Sequence, residues 1–143
     1  MKSIIFICLG NICRSPLAEG VAKVKAKELG LNIKVDSAGL STCHNGENPC
    51  PISLNLAKKH GIDISNIISQ HISEFNLDSY TLVVSLDESN KEELKRVGIN
   101  AKKLGDFGFE GRDVADLYYE PYRENEVWEM IDRGVLNILK SLQ

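Results

Sequence analysis

Residues 4–19 read IIFICLGNICRSPLAE, and this stretch decides how the rest of the chain is interpreted. Its first part, within residues 3–8, is short, β-branched and almost entirely apolar, which is typical of a strand buried inside a sheet. Its last part opens a helix that we place at residues 16–29, because proline suits a first helical turn and glycine suits a helix end. Cys8 and Arg14 are therefore separated by five residues in the turn between a strand and a helix.

Apolar periodicity and turn residues predict the other elements. We expect strands at 32–37, 80–85 and 101–104, helices at 52–60 and 88–97, a last amphipathic helix, and long loops at 39–51 and 105–123. Strands that alternate with helices indicate an α/β fold with a parallel sheet covered on both faces. Such sheets bind ligands at the carboxyl ends of their strands, where Cys8, Ser37 and Ser85 are predicted.

The turn at residues 9–14 has the features of a phosphate cradle. Its backbone N–H groups can point inward at the positive end of the next helix, and Gly10 permits backbone angles that a side chain would forbid. Arg14 supplies a planar fork that can hold two phosphate oxygens. The same surroundings favour the thiolate of Cys8, and Ser15 is placed to donate a hydrogen bond to that sulfur. The structural alternative is a small buried cysteine beside a surface arginine.

A proton donor for a leaving oxygen must come from outside this turn. The candidate is Asp116, which is separated from Tyr118 and Tyr119 by one apolar residue. The two tyrosine rings can line a slot of the size of a phenyl ring beside the carboxyl group. Local sequence alone favours the alternative, a turn aspartate next to two packing tyrosines, and both interpretations stay open at this point.

Bulk properties limit the function classes. The 143 residues, 43% hydrophobic and 26% charged, predict one globular domain over 1–143. A net charge of -3 gives no general attraction to nucleic acid or to anionic membranes, and no apolar run approaches the length of a membrane span. We therefore expect a cytoplasmic protein without nucleic-acid or membrane partners. A core of this size needs no disulfides, so the cysteines are expected as reduced thiols; they are Cys8, Cys13, Cys43 and Cys50.

Together these segments resemble the low-molecular-weight protein tyrosine phosphatases. The turn from Cys8 to Ser15 matches the signature of that family at every residue, and the likeness extends along the chain to Asp36-Ser37-Ala38-Gly39, His60-Gly61-Ile62, Asp87-Glu88-Ser89-Asn90 and Asp116-Leu117-Tyr118-Tyr119. The resemblance implies a four-stranded parallel sheet of flavodoxin-like order, the phosphotyrosine phosphatase I type, with helices on both faces.

The resemblance also implies a metal-independent mechanism without a cofactor. The Cys8 thiolate would attack phosphorus to give a cysteinyl-phosphate, Arg14 would stabilise the transition state, and Asp116 would act as general acid and then as base. The phosphate-binding loop would comprise Leu9, Gly10, Asn11, Ile12 and Cys13, with Asn11 and Ser37 as loop support and Leu9, Cys43, Tyr118 and Tyr119 as the substrate cleft. The expected partners are a phosphotyrosine protein or peptide and inorganic phosphate, as product and inhibitor, bound by a monomer.

Departures from the family pattern affect the acid loop and the rim of the cleft. Leu117 replaces the proline that follows the acid in the family, which predicts a less rigid acid loop. Cys43 stands where a bulky aromatic residue is common, and Asn66 appears in place of a histidine that supports the loop asparagine in some members. In the family, a second cysteine such as Cys13 can trap the oxidised nucleophile as a disulfide, and the alternative is a small side chain packed under the loop.

Three other functions are alternatives to a phosphotyrosine phosphatase. Cys43 and Cys50 have the spacing of the relay cysteines of arsenate reductases on the same fold, but in those enzymes the pair follows the third strand, so we interpret the spacing as a coincidence. Phosphoarginine phosphatases tend to carry threonine beside the nucleophile, whereas Leu9 and Ile12 suggest an apolar floor for a ring. A phospho-binding module without turnover would be expected to lose Cys8 or Asp116, and both are present.

Overall fold

The computed structural model describes residues 1–143, in which four strands alternate with four α-helices. The elements in chain order are β1 (Lys2–Cys8), α1 (Arg14–Glu28), β2 (Ile33–Gly39), α2 (Pro51–Lys59), β3 (Leu82–Ser85), α3 (Glu88–Arg96), β4 (Lys102–Lys103) and α4 (Glu124–Ser141). Every strand and helix expected from the sequence is present, with ends that shift by a few residues. No helix combines the length and the apolar character that a membrane crossing requires.

The four strands form one parallel sheet in the order β2-β1-β3-β4, which confirms the predicted fold class. β1 is central, and its register pairs Cys8 with Gly39 on one side and Ile7 with Ser85 on the other. The carboxyl ends of β1, β2 and β3 therefore meet at one edge of the sheet. This edge is where a parallel sheet presents its binding residues.

Alternating side chains of β1 build a core on each face of the sheet. Ile4 and Phe6 belong to the larger cluster, which also takes in α1, α2 and α4, whereas Ile5 and Ile7 belong to a second cluster with Leu94 of α3. All four of these strand residues are fully buried. The uninterrupted apolar run of β1 is thus explained by helices on both faces.

Candidate active site

The turn between β1 and α1 wraps around a cavity at the carboxyl edge of the sheet. Its carbonyl groups bond outward: Leu9 O accepts from Ser41 N at 2.9 Å, and Ile12 O accepts from Cys50 N at 2.6 Å. Cys13 O accepts from the Ser53 hydroxyl at 2.9 Å. In a trans peptide the N–H group points opposite to the preceding carbonyl, so N–H groups of this turn face the cavity. The arrangement is a concave set of donors at the N-terminus of α1.

A buried hydrogen-bond network holds the turn in this shape. Asn11 has a φ of 56°, in the left-handed region that asparagine tolerates better than most residues. Its side-chain amide donates to Ser15 Oγ at 2.7 Å and to Ser37 Oγ at 3.0 Å, and its Oδ1 accepts from Gln70 N at 2.9 Å. Ser37 Oγ donates in turn to Glu19 Oε1 at 2.5 Å. Asn11 thereby connects the turn to β2, α1 and the segment before residue 71.

Cys8 lies at the floor of the cavity and is 3% exposed. Its Sγ lies 2.9 Å from Ser15 Oγ. Because the Asn11 amide already donates to that hydroxyl oxygen, the Ser15 proton is free to point at the Cys8 sulfur. Ser15 is therefore oriented to stabilise a thiolate.

Arg14 is 4% exposed and is surrounded by acceptors. Its Nη1 donates to Asp87 Oδ2 at 2.8 Å and to Val114 O at 2.9 Å, while its Nη2 lies 3.5 Å from Asp116 Oδ2. Burial alone would lower the pKa of the Arg14 guanidinium, but the negative charge of Cys8 and the carboxylates of Asp87 and Asp116 outweigh it and hold that pKa above its usual value. Arg14 is a fixed positive charge beside the Cys8 sulfur.

Asp116 lies at the edge of the same cavity. Its Oδ1 accepts from Tyr118 N at 3.0 Å, and its backbone oxygen accepts from Tyr119 N and Glu120 N. Leu117, which follows it, is 1% exposed and belongs to the main core. The absence of the family's proline predicts a less rigid acid loop, and the burial of Leu117 gives that loop a hydrophobic contact with the core.

Aromatic and small side chains form the rim above the floor. The rings of Tyr118 and Tyr119 meet edge to face with centroids 5.1 Å apart, and the His44 ring lies 5.9 Å from that of Tyr118. His44 Nδ1 is also 3.0 Å from Glu47 Oε2. The cavity volume is about 150 Å³, and its lining comprises Cys8, Leu9, Gly10, Ile12, Cys13, Arg14, Ser41, Cys43, His44, Asp116, Tyr118 and Tyr119.

This geometry is accompanied by a match to one protein family. The family model for the low molecular weight phosphotyrosine protein phosphatases covers residues 3–143. The chain belongs to this family. The phosphatase is 34% identical over 152 residues to the low molecular weight protein-tyrosine-phosphatase YfkJ of Bacillus subtilis, covering 100% of this chain and 97% of the relative. It is also 34% identical over 145 residues to PtpA of Staphylococcus aureus strain Newman, covering 97% and 92% of the two chains.

Solved structures give the same picture of the phosphatase. It superimposes on the crystal structure of Bacillus subtilis YfkJ with a TM-score of 0.93 and 33% identity, covering 100% of this chain and 95% of that one. The match to the crystal structure described as DARP, Drosophila arginine phosphatase, has a TM-score of 0.86 and 26% identity and covers 100% and 98%. A relative named as a protein-tyrosine phosphatase and a protein described as an arginine phosphatase therefore share this architecture.

The structure brings together most of the site residues expected from the phosphatase sequence. Cys8, Arg14 and Asp116 line one cavity with the expected cleft residues Leu9, Cys43, Tyr118 and Tyr119, whereas Asn11, Ser15 and Ser37 lie behind it as support. Sequence reasoning missed a role for Asp87, Glu19, Gln70 and His44. The Asp87 motif was available as a signal, because it directly follows a predicted strand end; Gln70 acts through its backbone N–H and gave no sequence signal.

The cysteines of the phosphatase differ from the expectation of four reduced thiols. Cys13 and Cys50 form a disulfide with Cα atoms 5.3 Å apart, while Cys8 and Cys43 are free. The prediction of reduced thiols is therefore wrong for this pair, because the start of α2 packs against the phosphate-binding turn. Cys13, expected as the redox partner of Cys8, is paired with Cys50 in this structure. Cys43 is exposed and is not bonded to Cys50, whose partner is Cys13.

Proposed function

We propose that this chain is a protein-tyrosine phosphatase that hydrolyses phosphotyrosine through a cysteinyl-phosphate intermediate. The observation that carries the proposal is the single cavity in which a buried cysteine sulfur, a buried guanidinium and a partly exposed carboxylate converge, from Cys8, Arg14 and Asp116. Nucleophile, charge stabiliser and proton donor are the three parts that phosphate-ester cleavage by a thiolate requires.

In the first step, the Cys8 thiolate forms the S–P bond while the bond from phosphorus to the tyrosine oxygen breaks. Nη1 of Arg14 stays engaged with Asp87 and Val114, whereas Nη2 makes only the 3.5 Å contact with Asp116. That open edge of the guanidinium, together with the N–H groups of the turn, can bind the equatorial oxygens as their charge increases.

Asp116 acts as the general acid for the leaving phenolate. Asp116 lines the same cavity as Cys8 and Arg14, so its carboxyl group is within the site that the leaving oxygen must occupy. In the second step the carboxylate accepts a proton from water, the water oxygen bonds to phosphorus, and the S–P bond breaks. The Ser15 hydroxyl, 2.9 Å from the sulfur, then stabilises the departing thiolate.

The shape of the cavity favours an aromatic phosphate ester. Its mouth is lined by Tyr118 and Tyr119 and its side by Leu9, which gives a ring both edge contacts and an apolar wall. Leu9 occupies the position beside the nucleophile at which phosphoarginine phosphatases tend to carry threonine. Its apolar side chain therefore supports phosphotyrosine, rather than phosphoarginine, as the substrate. The exposed, unpaired Cys43 gives no support to arsenate reduction.

The proposal includes the setting of the reaction. The substrate is a phosphotyrosine protein or peptide, and inorganic phosphate, which fits the same cradle, is both product and inhibitor. We place the monomeric enzyme in the cytoplasm, because a catalytic thiolate must be kept reduced to act.

The test is steady-state hydrolysis of p-nitrophenyl phosphate and phenyl phosphate. We expect Cys8→Ser to be inactive and Asp116→Asn to lose about 10²–10⁴ in kcat/KM on phenyl phosphate, with a smaller loss in kcat/KM on the nitrophenyl ester because its leaving group needs less protonation. Asp113→Asn is the matched control, since Asp113 contacts Lys103 and Glu88 N rather than Arg14. Equal losses on both esters would contradict the role of Asp116 as acid.

A second comparison addresses the substrate. Phosphotyrosine and phosphoarginine peptides of the same flanking sequence should be hydrolysed with a higher kcat/KM for phosphotyrosine, and Leu9→Thr should reduce that preference. A wild-type preference for phosphoarginine would overturn the assignment of the substrate while leaving the catalytic roles intact.

A further inference from the structure

The disulfide between Cys13 and Cys50 lies directly behind the phosphate-binding turn. Cys13 is the residue before the first turn of α1, and Cys50 is the residue before the first turn of α2. The two residues are 3% and 9% exposed and pack with Ile12 in a small apolar cluster. Cys50 N also donates to Ile12 O at 2.6 Å, so the two helix starts are held together independently of the disulfide.

Three cysteines lie in or directly behind the cavity. Cys8 and Cys13 both line it, whereas Cys50 does not line it and is bonded to Cys13. Cys8 is a free thiol in the same structure that pairs Cys13 with Cys50. A small oxidant that enters the cavity can therefore reach the free Cys8, and Cys13 is the cysteine that both lines the cavity with Cys8 and is bonded to Cys50.

We propose that Cys13 and Cys50 form a thiol relay that removes an oxidising equivalent from Cys8 and returns Cys8 to the thiolate form, with a hydroperoxide as the oxidant. In the first step the Cys8 thiolate attacks the terminal oxygen of the hydroperoxide and the O–O bond breaks. Cys8 becomes a sulfenic acid, and the rest of the hydroperoxide gains a proton and leaves as an alcohol or as water. In the second step the Cys13 thiol bonds to the Cys8 sulfur, and the hydroxyl leaves as water with the Cys13 proton.

The third step distinguishes the relay from a simple trap. The Cys50 thiol loses its proton to solvent and its sulfur attacks Cys13 Sγ; the Cys13–Cys50 bond forms, and Cys8 leaves as a thiolate. Cys8 is the favoured leaving group, because the Ser15 hydroxyl and the Arg14 guanidinium stabilise its negative charge. The two electrons that reduce the hydroperoxide come from Cys13 and Cys50. An external dithiol of the thioredoxin class then reduces the disulfide.

The relay has a specific consequence for activity. If Cys13 only trapped Cys8, one oxidising equivalent would leave the nucleophile blocked. With Cys50 as the final partner, the reduced protein consumes one equivalent and ends with a free Cys8 and a disulfide away from the cavity floor. The inference uses the Cys8 thiolate of the proposed function, but its product is a disulfide that can be mapped whether or not the protein turns over phosphate esters.

The experiment starts from fully reduced protein that receives one equivalent of hydrogen peroxide without added thiol. Disulfides are mapped by mass spectrometry after alkylation, and activity is expressed relative to each variant before oxidation. We expect wild type to contain Cys13–Cys50 and to keep most of its activity. Cys50→Ser should stop at a Cys8–Cys13 disulfide, with a loss of activity that dithiothreitol reverses. Cys43→Ser should give the wild-type disulfide map.

Two further variants make the test decisive. Cys13→Ser should hold Cys8 as a sulfenic acid after the first equivalent, with a loss of activity that dithiothreitol reverses, and a second equivalent of hydrogen peroxide should convert it to the sulfinic acid and make the loss irreversible. Cys8→Ser should form Cys13–Cys50 much more slowly than wild type, since the oxidant no longer has its entry point. Circular dichroism of each reduced variant establishes that it is folded. The relay is overturned if wild type stops at Cys8–Cys13, or if Cys8→Ser forms Cys13–Cys50 as fast as wild type.

Discussion

Replacing Asp87 by asparagine tests whether this carboxylate positions the catalytic arginine. Asp87 has two separate contacts: Oδ1 accepts from Asn90 N at 2.7 Å as the N-cap of α3, and Oδ2 accepts from Arg14 Nη1 at 2.8 Å. Asparagine is as good an N-cap as aspartate, so its oxygen can keep the first contact. Its amide nitrogen then faces Nη1, which places two donors against each other.

The expected loss follows from the contact that disappears. A hydrogen bond between charged partners contributes about 1.5–3 kcal/mol when the partners are largely buried. The Arg14 and Asp87 side chains are 4% and 20% exposed, so solvent screens the pair only in part. Because about 1.4 kcal/mol corresponds to a factor of ten in rate, we expect kcat/KM to fall about 10- to 100-fold. Val114 O still accepts from Nη1, which limits the displacement of the guanidinium.

The assay combines p-nitrophenyl phosphate kinetics with the inhibition constant of inorganic phosphate and with thermal unfolding. Asp113→Asn makes the same change of net charge but contacts Lys103, and its side chain is 52% exposed, so we expect a change in kcat/KM of at most about twofold. The positioning role predicts weaker phosphate inhibition in Asp87→Asn. Tighter phosphate inhibition with unchanged kcat would refute it, since Asp87 would then act only by neutralising positive charge.

Three other substitutions test the supports of the site. Ser37→Ala removes the hydroxyl that bonds to both Asn11 and Glu19. It should lower the free energy of unfolding, measured by urea titration, by about 1–3 kcal/mol and should also reduce kcat. An unchanged kcat would show that the turn keeps its shape without these bonds. Leu117→Ala should lower the free energy of unfolding by about 2–5 kcal/mol, with unchanged stability arguing against the contact of the acid loop with the core. Gly105→Ala places a Cβ 1.9 Å from a backbone oxygen and should lower the melting temperature markedly; a wild-type value would mean that the segment around residue 112 moves freely.

The parts of the site that are close in sequence were predictable from it. Cys8 and Arg14 lie in one turn, and an apolar strand followed by a helix leaves few ways to arrange that turn. Asp116 is different, because nothing in its spacing relates it to Cys8; the local sequence offered it only as a candidate, and the family resemblance supplied its role. The structure supplies the physical link: Val114 N donates to Leu86 O at the end of β3, and Val114 O accepts from Arg14, which brings the acid loop to the cavity.

The cysteine pairing shows why composition is a weak guide to a specific contact. A core that needs no disulfide predicts reduced cysteines on average, and that argument takes no account of which cysteines are neighbours. The bond between Cys50 N and Ile12 O places the start of α2 against the phosphate-binding turn, and this contact is what brings Cys13 and Cys50 together. The register of a loop against a distant turn is set by tertiary packing, which no local pattern in residues 39–51 indicates.

The two carboxylates that face Arg14 have different roles, and their geometry distinguishes them. Asp87 is fixed by its cap to α3 and by a 2.8 Å bond to Nη1, so it can remain in place throughout the reaction. Asp116 lies 3.5 Å from Nη2 at the mouth of the cavity, on the side of the guanidinium that a phosphate must occupy. In the proposed mechanism, substrate replaces Asp116 as the partner of Nη2, and the displaced carboxyl is left beside the leaving oxygen. The buried Arg14 guanidinium thus has carboxylate partners when no substrate is bound. It can still bind a phosphate group, because only the longer of its two ion pairs has to break.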